Sequence, residues 1–161
     1  MAPLASENKL KLRWLVADLN SYFASCEQQE DPRLRGKPVA VAPLIADTTC
    51  AIAASYAAKA YGVKTGTKIC EAKRMCPDLI VVQPRPKLYA EYHHRILDAI
   101  EACIPIEHVM SIDEVACTLD RSQQAPEAAK RLSGEIKKAI RERVGECLTS
   151  RARSLFKECL I

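Results

Sequence analysis

The chain opens with an alternation of apolar and polar residues that is typical of a β-strand. In residues 10–19, LKLRWLVADL, every second residue from Leu10 to Val16 is large and apolar, so these side chains share one face. Leu15 and Ala17 lie on the opposite face. The pattern predicts a strand that ends near Asp18.

Residues 20–29, NSYFASCEQQ, predict a helix that follows this strand directly. Asn20 or Ser21 provides a polar N-cap, and Pro32 lies beyond the end of the helix. The next segment, RLRGKPVAVAP, predicts a turn at Gly36 and then a short strand.

Three further elements complete the middle of the chain. Residues 50–62, CAIAASYAAKAYG, predict an alanine-rich helix that Gly62 closes, and residues 68–76, KICEAKRMC, predict a second short helix. Residues 79–84, LIVVQP, predict a strand. The block from about 29 to 83 is therefore expected to be small, mainly helical and inserted between sheet elements.

The remaining segments alternate again between helix and strand. Residues 86–103 predict a helix that starts at Pro86, and residues 109–119, VMSIDEVACTL, predict a buried strand. Residues 125–145 predict an amphipathic helix with a basic outer face, and residues 146–150, ECLTS, predict the start of a last strand. The apolar series of this amphipathic helix is Ala128, Leu132, Ile136, Ile140 and Val144.

Composition agrees with a single α+β domain and excludes few functions. The 161 residues are 48% hydrophobic and 27% charged, which is sufficient for an ordinary core and a polar surface. No apolar run approaches the roughly 18–20 residues of a membrane span, and no secretory signal precedes the first strand, so we expect a cytoplasmic protein. The net charge of +4 permits a nucleic-acid partner without requiring one.

Adjacent carboxylates stand in the middle of the apolar segment 109–119. Asp113 and Glu114 would each be costly to bury without a cation or several donors, and successive residues of a regular strand point to opposite faces. Together with Asp18 they could form an oxygen-only site of the kind that magnesium prefers. Alternatively, each acid caps a helix or meets solvent at the end of a strand.

Several segments resemble the Y-family of translesion DNA polymerases in order and spacing. They are VADLNSYFASCE, KPVAV, ASYAAKAYGVKTGTKICEAKRMCPDL, YAEYHHRI and VMSIDEVACTL, and the resemblance extends from about residue 12 to residue 150. It implies a ferredoxin-like α+β palm formed by residues 1–28 and 84–150, with a fingers insertion at 29–83. The tail at 151–161 matches nothing in that family, so the thumb and little-finger domains are expected to be absent.

The resemblance implies a metal site formed by the acids. Asp18, Asp113 and Glu114, assisted by the backbone carbonyl of Leu19, would hold two Mg²⁺ ions, for which Mn²⁺ can substitute. All three acids would be catalytic, and Glu114 would lie nearest the primer 3′-hydroxyl.

The resemblance also implies a nucleotide site. Phe23 occupies the position of the steric gate, a ring under the sugar that excludes a 2′-hydroxyl, and Tyr22 would turn its backbone toward the triphosphate. Tyr56 and Lys59 lie three residues apart on one helical face and would bind the triphosphate. The family usually has arginine where Lys59 stands, so the phosphate contact is expected to differ.

The implied function is DNA-templated DNA synthesis opposite damaged bases by a truncated catalytic core. Its ligands would be primer–template DNA and deoxynucleoside triphosphates, a sliding clamp or repair accessory proteins remain open as partners, and we expect a monomer. One alternative is a non-catalytic polymerase-like scaffold in a damage-tolerance complex, which would not need the metal-binding acids. A second is another palm-like nucleotidyltransferase or cyclase, which would not need an aromatic gate at Phe23.

Overall fold

The structure, a computed structural model, describes residues 11–148 and the backbone of residues 156–159. Its strands are β1 (Trp14–Asp18), β2 (Val39–Val41), β3 (Ala53–Ala54), β4 (Ile80–Val82), β5 (His108–Val109), β6 (Glu114–Thr118) and β7 (Phe156–Cys159). Its α-helices are α1 (Tyr22–Glu30), α2 (Tyr56–Ala60), α3 (Ile69–Met75), α4 (Pro86–Glu101) and α5 (Pro126–Arg143). Among the helices of the described residues, none is long and apolar enough to cross a membrane.

The larger sheet has the order β5-β6-β1-β7, and all of its neighbouring strands are antiparallel. Because side chains alternate along a strand, Leu15 and Ala17 of β1 point with Val115 and Cys117 of β6 into the main core. Buried residues of α1, α4 and α5 complete that core. One face of the sheet is therefore covered by helices. The residues of the central strands that point to the opposite face lie outside this core.

The smaller sheet lies within residues 39–82 and has the order β3-β2-β4. Strand β2 pairs with β4 in parallel and with β3 antiparallel, and the chain between β3 and β4 forms α2 and α3. Small buried residues such as Ala40 and Ala51 pack here against Ile69. The predicted inserted block therefore exists, and it is built on a sheet of its own.

The helix predicted for residues 50–62 is wrong in its first half. Ala53 and Ala54 pair with Val41 and Ala40 as strand β3, and the helix begins only at Tyr56. Alanine favours a helix, but here β2 satisfies the backbone hydrogen bonds of these alanines, so sheet pairing overrides their local propensity.

The single buried strand predicted for residues 109–119 is also wrong, because this segment is a hairpin. Strand β5 pairs back on β6, and the N–H of Met110 donates to the carbonyl of Glu114 at 2.9 Å. Val109 and Met110 are exposed, and β5 is an edge strand of the larger sheet. Asp113 consequently lies in the turn and not in the strand.

The last strand predicted for residues 146–150 is replaced by a 3₁₀ turn at Glu146–Leu148, and residues 149 and 150 lie outside the described residues. Leu148 is buried in the main core, and the N–H of Cys147 donates to Gln29 Oε1 at 3.1 Å. These contacts with the core and with α1 hold the segment in a compact turn. In α5 the predicted apolar face is confirmed, except that Ala129 is buried in place of the half-buried Ala128.

Candidate metal and nucleotide site

Asp18 and Glu114 lie directly opposite each other in the antiparallel ladder between β1 and β6. Directly opposed residues project to the same face of a sheet, so their side chains are neighbours. The preceding pair, Ala17 and Val115, points into the core, and the two acids therefore lie on the face away from it. Both acids are partly exposed.

Asp113 joins this pair from the hairpin turn. Its carbonyl accepts a hydrogen bond from the N–H of Leu19 at 2.9 Å, which places Asp113 at the end of β1. Because Asp113 precedes the first residue of β6, the alternation of that strand does not fix the direction of its side chain. The Oδ1 atom of Asp113 accepts a hydrogen bond from the hydroxyl of Ser111 at 2.7 Å.

The fold thus brings the backbones of all three predicted acids to one end of the larger sheet. Among the described residues, no group of three acidic, histidine or cysteine side chains forms a ready cage for a metal ion. The carboxylates therefore do not form a closed ligand shell, and one oxygen of Asp113 is hydrogen-bonded to Ser111.

Tyr22 and Phe23 begin α1 immediately after this acidic end. Ser21, the N-cap residue, has φ 58°, a left-handed conformation, and its side chain makes no capping hydrogen bond. The Tyr22 side chain is buried, and its hydroxyl donates to the carbonyl of Tyr89 at 2.7 Å. Burial is the main reason that the pKa of Tyr22 is raised, with a smaller contribution from the charge of Asp113. Only the backbone of Tyr22 is therefore available to a ligand.

Phe23 is half-buried and stacks on the ring of Tyr89 from α4. The ring centroids are 4.5 Å apart and the planes differ by 20°. Phe23 packs against the main core and also against the small cluster of Ala24, Val41 and Ala53. It lies, therefore, where the two sheets meet.

Tyr56 and Lys59 lie on α2, which is anchored by the buried Ser55. The Lys59 ammonium lies over the Tyr56 ring, with Nζ 5.4 Å from the ring centroid. Burial raises the pKa of Tyr56, and the charge of Asp18 raises it further. That influence places Tyr56 within electrostatic reach of the acidic end of the larger sheet.

Two features of the site were not predicted from the sequence. Glu27 is buried and accepts hydrogen bonds from both Arg85 and Tyr89, and His93 Nδ1 lies 2.8 Å from the carbonyl oxygen of Ile112, directly before Asp113. The only sequence signal was proximity: Arg85 directly precedes α4, and Tyr89 lies in the first turn of that helix.

Comparisons with known proteins agree with this geometry. The family described as impB/mucB/samB matches residues 17–152. The chain belongs to this family. DNA polymerase IV of Moorella thermoacetica is 39% identical over 133 residues, covering 81% of this chain and 33% of that protein. DNA polymerase IV 2 of Agrobacterium fabrum is 34% identical over 128 residues, covering 80% of this chain and 36% of that protein.

Solved structures give the same result. A Y-family DNA polymerase chimera and DinB from Sulfolobus solfataricus each superpose with a TM-score of 0.72 at 27% identity, covering 81% of this chain and 39% of theirs. The resemblance to the Y-family and the α+β palm-and-fingers architecture are confirmed. The chain spans about a third of the length of the curated relatives it matches.

Proposed function

We propose that the chain forms the catalytic centre of a DNA-templated DNA polymerase of the translesion type, which transfers a nucleotidyl group from a deoxynucleoside triphosphate to a primer 3′-hydroxyl. The observation that carries the proposal is the Asp18–Glu114 pair, with Asp113 in the adjoining turn, one short turn away from Phe23. The relatives named DNA polymerase IV support it, as does similarity to an insertion ternary complex of Dbh DNA polymerase (TM-score 0.71, 28% identity).

The residues at the acidic end fit a pair of Mg²⁺ ions, for which Mn²⁺ can substitute. Their donors are carboxylate oxygens, the ligands that Mg²⁺ prefers, and Asp18 and Glu114 share one face while Asp113 adjoins them. Leu19 buries its side chain and would contribute its backbone carbonyl. When bound, the ions would lower the pKa of the primer 3′-hydroxyl and neutralise charge on the triphosphate.

Each of these residues has a separate task in the proposed site. Asp18, Asp113 and Glu114 would hold the ions, and Glu114 would in addition lie nearest the primer 3′-oxygen. Asp113 must exchange its hydrogen bond with Ser111 for a ligand, or keep that bond on one oxygen and bind through the other. Positioning of this kind is the main contribution that a protein makes to phosphoryl transfer.

The proposed nucleotide site lies between α1 and α2. Phe23 would pack under the deoxyribose and exclude a 2′-hydroxyl by steric clash. The backbone at Tyr22, together with Tyr56 and Lys59, would contact the triphosphate. Primer–template DNA and deoxynucleoside triphosphates are thus the proposed ligands.

Single-nucleotide insertion into a primer–template at low salt, with Mg²⁺ or Mn²⁺, tests the proposal. We expect Asp18→Asn and Glu114→Gln to lower the insertion rate by at least about 100-fold, because each removes a charge that the transition state requires. The matched control is Asp98→Asn, which neutralises an exposed carboxylate on α4. Equal insertion by Asp18→Asn and Asp98→Asn would reject the assignment.

A further inference from the structure

A polar network around the buried carboxylate of Glu27 joins α1 to the start of α4. Glu27 of α1 is 3% exposed, and its carboxylate accepts hydrogen bonds from Arg85 Nε at 3.0 Å and from Arg85 Nη2. The Tyr89 hydroxyl donates to Glu27 Oε1 at 2.7 Å. An ionised carboxylate is stable at such a depth only when its oxygens are paired in this way.

The same network fixes Tyr89 at both ends. Its hydroxyl is bound by Glu27, and its backbone carbonyl accepts the hydroxyl of Tyr22 at 2.7 Å. Tyr89 is 2% exposed, so the surrounding core restricts the ring further. The ring therefore presents a fixed face to whatever packs on it.

Phe23 is what packs on that face, at a centroid separation of 4.5 Å. Unlike Tyr89, Phe23 is only half-buried, so part of the residue remains accessible. A hydrocarbon ring has no polar group with which to hold its own position. Its placement must come from the surfaces that it contacts.

We propose that Glu27, Arg85 and Tyr89 are positioning residues for sugar discrimination, because they hold the ring on which Phe23 rests. The inference builds on the proposed function, in which Phe23 excludes the 2′-hydroxyl. Steric exclusion depends steeply on distance, and a shift of about 0.5–1 Å changes a van der Waals contact substantially. A gate ring without a fixed support could therefore recede from the added hydroxyl.

The test compares the affinities of the chain for dATP and for ATP, each with Mg²⁺, by equilibrium binding. The ratio of the two Kd values measures discrimination, and partial unfolding would lower both affinities together and leave the ratio unchanged. Phe23→Ala provides the reference for a lost gate. Tyr89→Leu removes the supporting ring, Tyr89→Phe keeps the ring but loses the hydroxyl, and Glu27→Gln weakens the anchor.

The matched control is Tyr92→Phe. Tyr92 is also buried on α4, and its hydroxyl donates to Glu30 Oε2 at 3.0 Å. The variant thus loses a comparable hydrogen bond between α4 and α1 without altering the ring under Phe23. We expect the wild-type ratio from Tyr92→Phe.

We expect Tyr89→Leu to lower discrimination about three- to tenfold, and Tyr89→Phe and Glu27→Gln to lower it less. If Tyr89→Leu does not fold, the two milder variants decide the question. A wild-type ratio in the folded Tyr89 and Glu27 variants, alongside a lowered ratio in Phe23→Ala, overturns the support by Tyr89 and leaves the gate intact. An unchanged ratio in Phe23→Ala overturns the gate and its support together, and absence of dATP binding by the wild type counts against the proposed function itself.

Discussion

The ring of Phe23 stacks on the ring of Tyr89 with centroids 4.5 Å apart and planes inclined by 20°. The two rings come from α1 and α4, which lie on opposite sides of the inserted block in the sequence. The position of Phe23 is consequently determined by both parts of the fold that surround the insertion. Any change that moves α4 relative to α1 is therefore expected to change the position of the Phe23 ring.

The pairing of Glu27 with Arg85 leads to a prediction about stability. Arg85→Met should destabilise the fold by about 3 kcal/mol, because it leaves a buried carboxylate with fewer donors. The Glu27 side chain is 4% exposed and that of Arg85 is 48% exposed, so Glu27→Gln, which removes the buried charge, should cost less. Urea denaturation followed by circular dichroism gives both values.

The double variant Glu27→Gln/Arg85→Met completes the cycle. We expect its loss of stability to be smaller than the sum of the two single losses, since the residues are in contact and removing both leaves no unpaired charge. Strict additivity would contradict a direct interaction between the two side chains.

The sequence predicts the parts of the fold that depend on local pattern. The alternation that ends at Asp18 and the helix that begins at Tyr22 both follow from neighbouring residues, and both are found where expected. The strand at Ala53 could not be predicted in this way, because its partner is a strand earlier in the chain and its own residues favour a helix.

In the candidate site, too, the sequence predicts what depends on local pattern and misses contacts between distant residues. Asp18, Asp113 and Glu114 are recognisable in the sequence as acids at or within apolar segments. The prediction that Asp113 and Glu114 lie in one strand was wrong, because Asp113 lies in a turn. The contacts of Glu27 with Arg85 and Tyr89 join residues 58 and 62 positions apart. The hydrophobic periodicity of a single helix or strand cannot predict contacts over such separations. The support behind Phe23 is therefore a property of tertiary packing.

Lys59 gives a prediction about phosphate binding. It is exposed on α2, with its ammonium 5.4 Å from the centre of the Tyr56 ring. Lys59→Gln should raise the Kd for Mg²⁺–dATP about fivefold, because one solvated charge contributes up to about 1 kcal/mol. Lys59→Arg should lower it, because guanidinium offers a planar pair of donors to phosphate oxygens.

The control for Lys59 is Lys64→Gln, which removes another exposed charge, from the loop after α2. It should leave the Kd near the wild-type value at moderate salt. Identical effects of Lys59→Gln and Lys64→Gln would mean that the charge acts only through the overall field of the protein.

The buried phenols predict a loss of stability at high pH. Burial is the largest cause that raises the pKa of Tyr22, Tyr89 and Tyr92. For Tyr92, burial together with the hydrogen bond to Glu30 raises the pKa to about 12 from 10.0. Unfolding above pH 10 then releases protons, so the contribution of these groups is complete below pH 10 and is lost as the pH rises through the folded-state values. Each phenol can reduce the free energy of unfolding by up to about 1.4 kcal/mol per pH unit.

Urea denaturation at a series of pH values from 9 to 11.5 measures this slope. Tyr92→Phe should reduce the slope of the free energy of unfolding against pH by up to the contribution of one phenol, about 1.4 kcal/mol per pH unit. The variant also loses the hydrogen bond to Glu30, which lowers stability at every pH in this range. A free energy of unfolding that does not fall across this range would contradict the burial of these hydroxyls.

Ser55 gives the last prediction, which links the stability of the inserted block to ligand binding. Its buried hydroxyl accepts hydrogen bonds from the N–H of Val39 at 2.9 Å and of Ala58 at 3.3 Å, and donates to the carbonyl of Lys37 at 3.1 Å. Ser55→Ala removes all of these bonds and should cost about 1–3 kcal/mol, since buried backbone groups lose their partners. The control Ser133→Ala, at a half-buried position of α5, should change stability by less than about 0.5 kcal/mol.

Because Ser55 caps the helix that carries Tyr56 and Lys59, we also expect a weaker affinity for Mg²⁺–dATP at temperatures where the variant is fully folded. Loss of stability with an unchanged affinity would separate α2 from the nucleotide site, whereas loss of both in Ser55→Ala but not in Ser133→Ala would tie the hydrogen bonds of Ser55 to the placement of Tyr56 and Lys59.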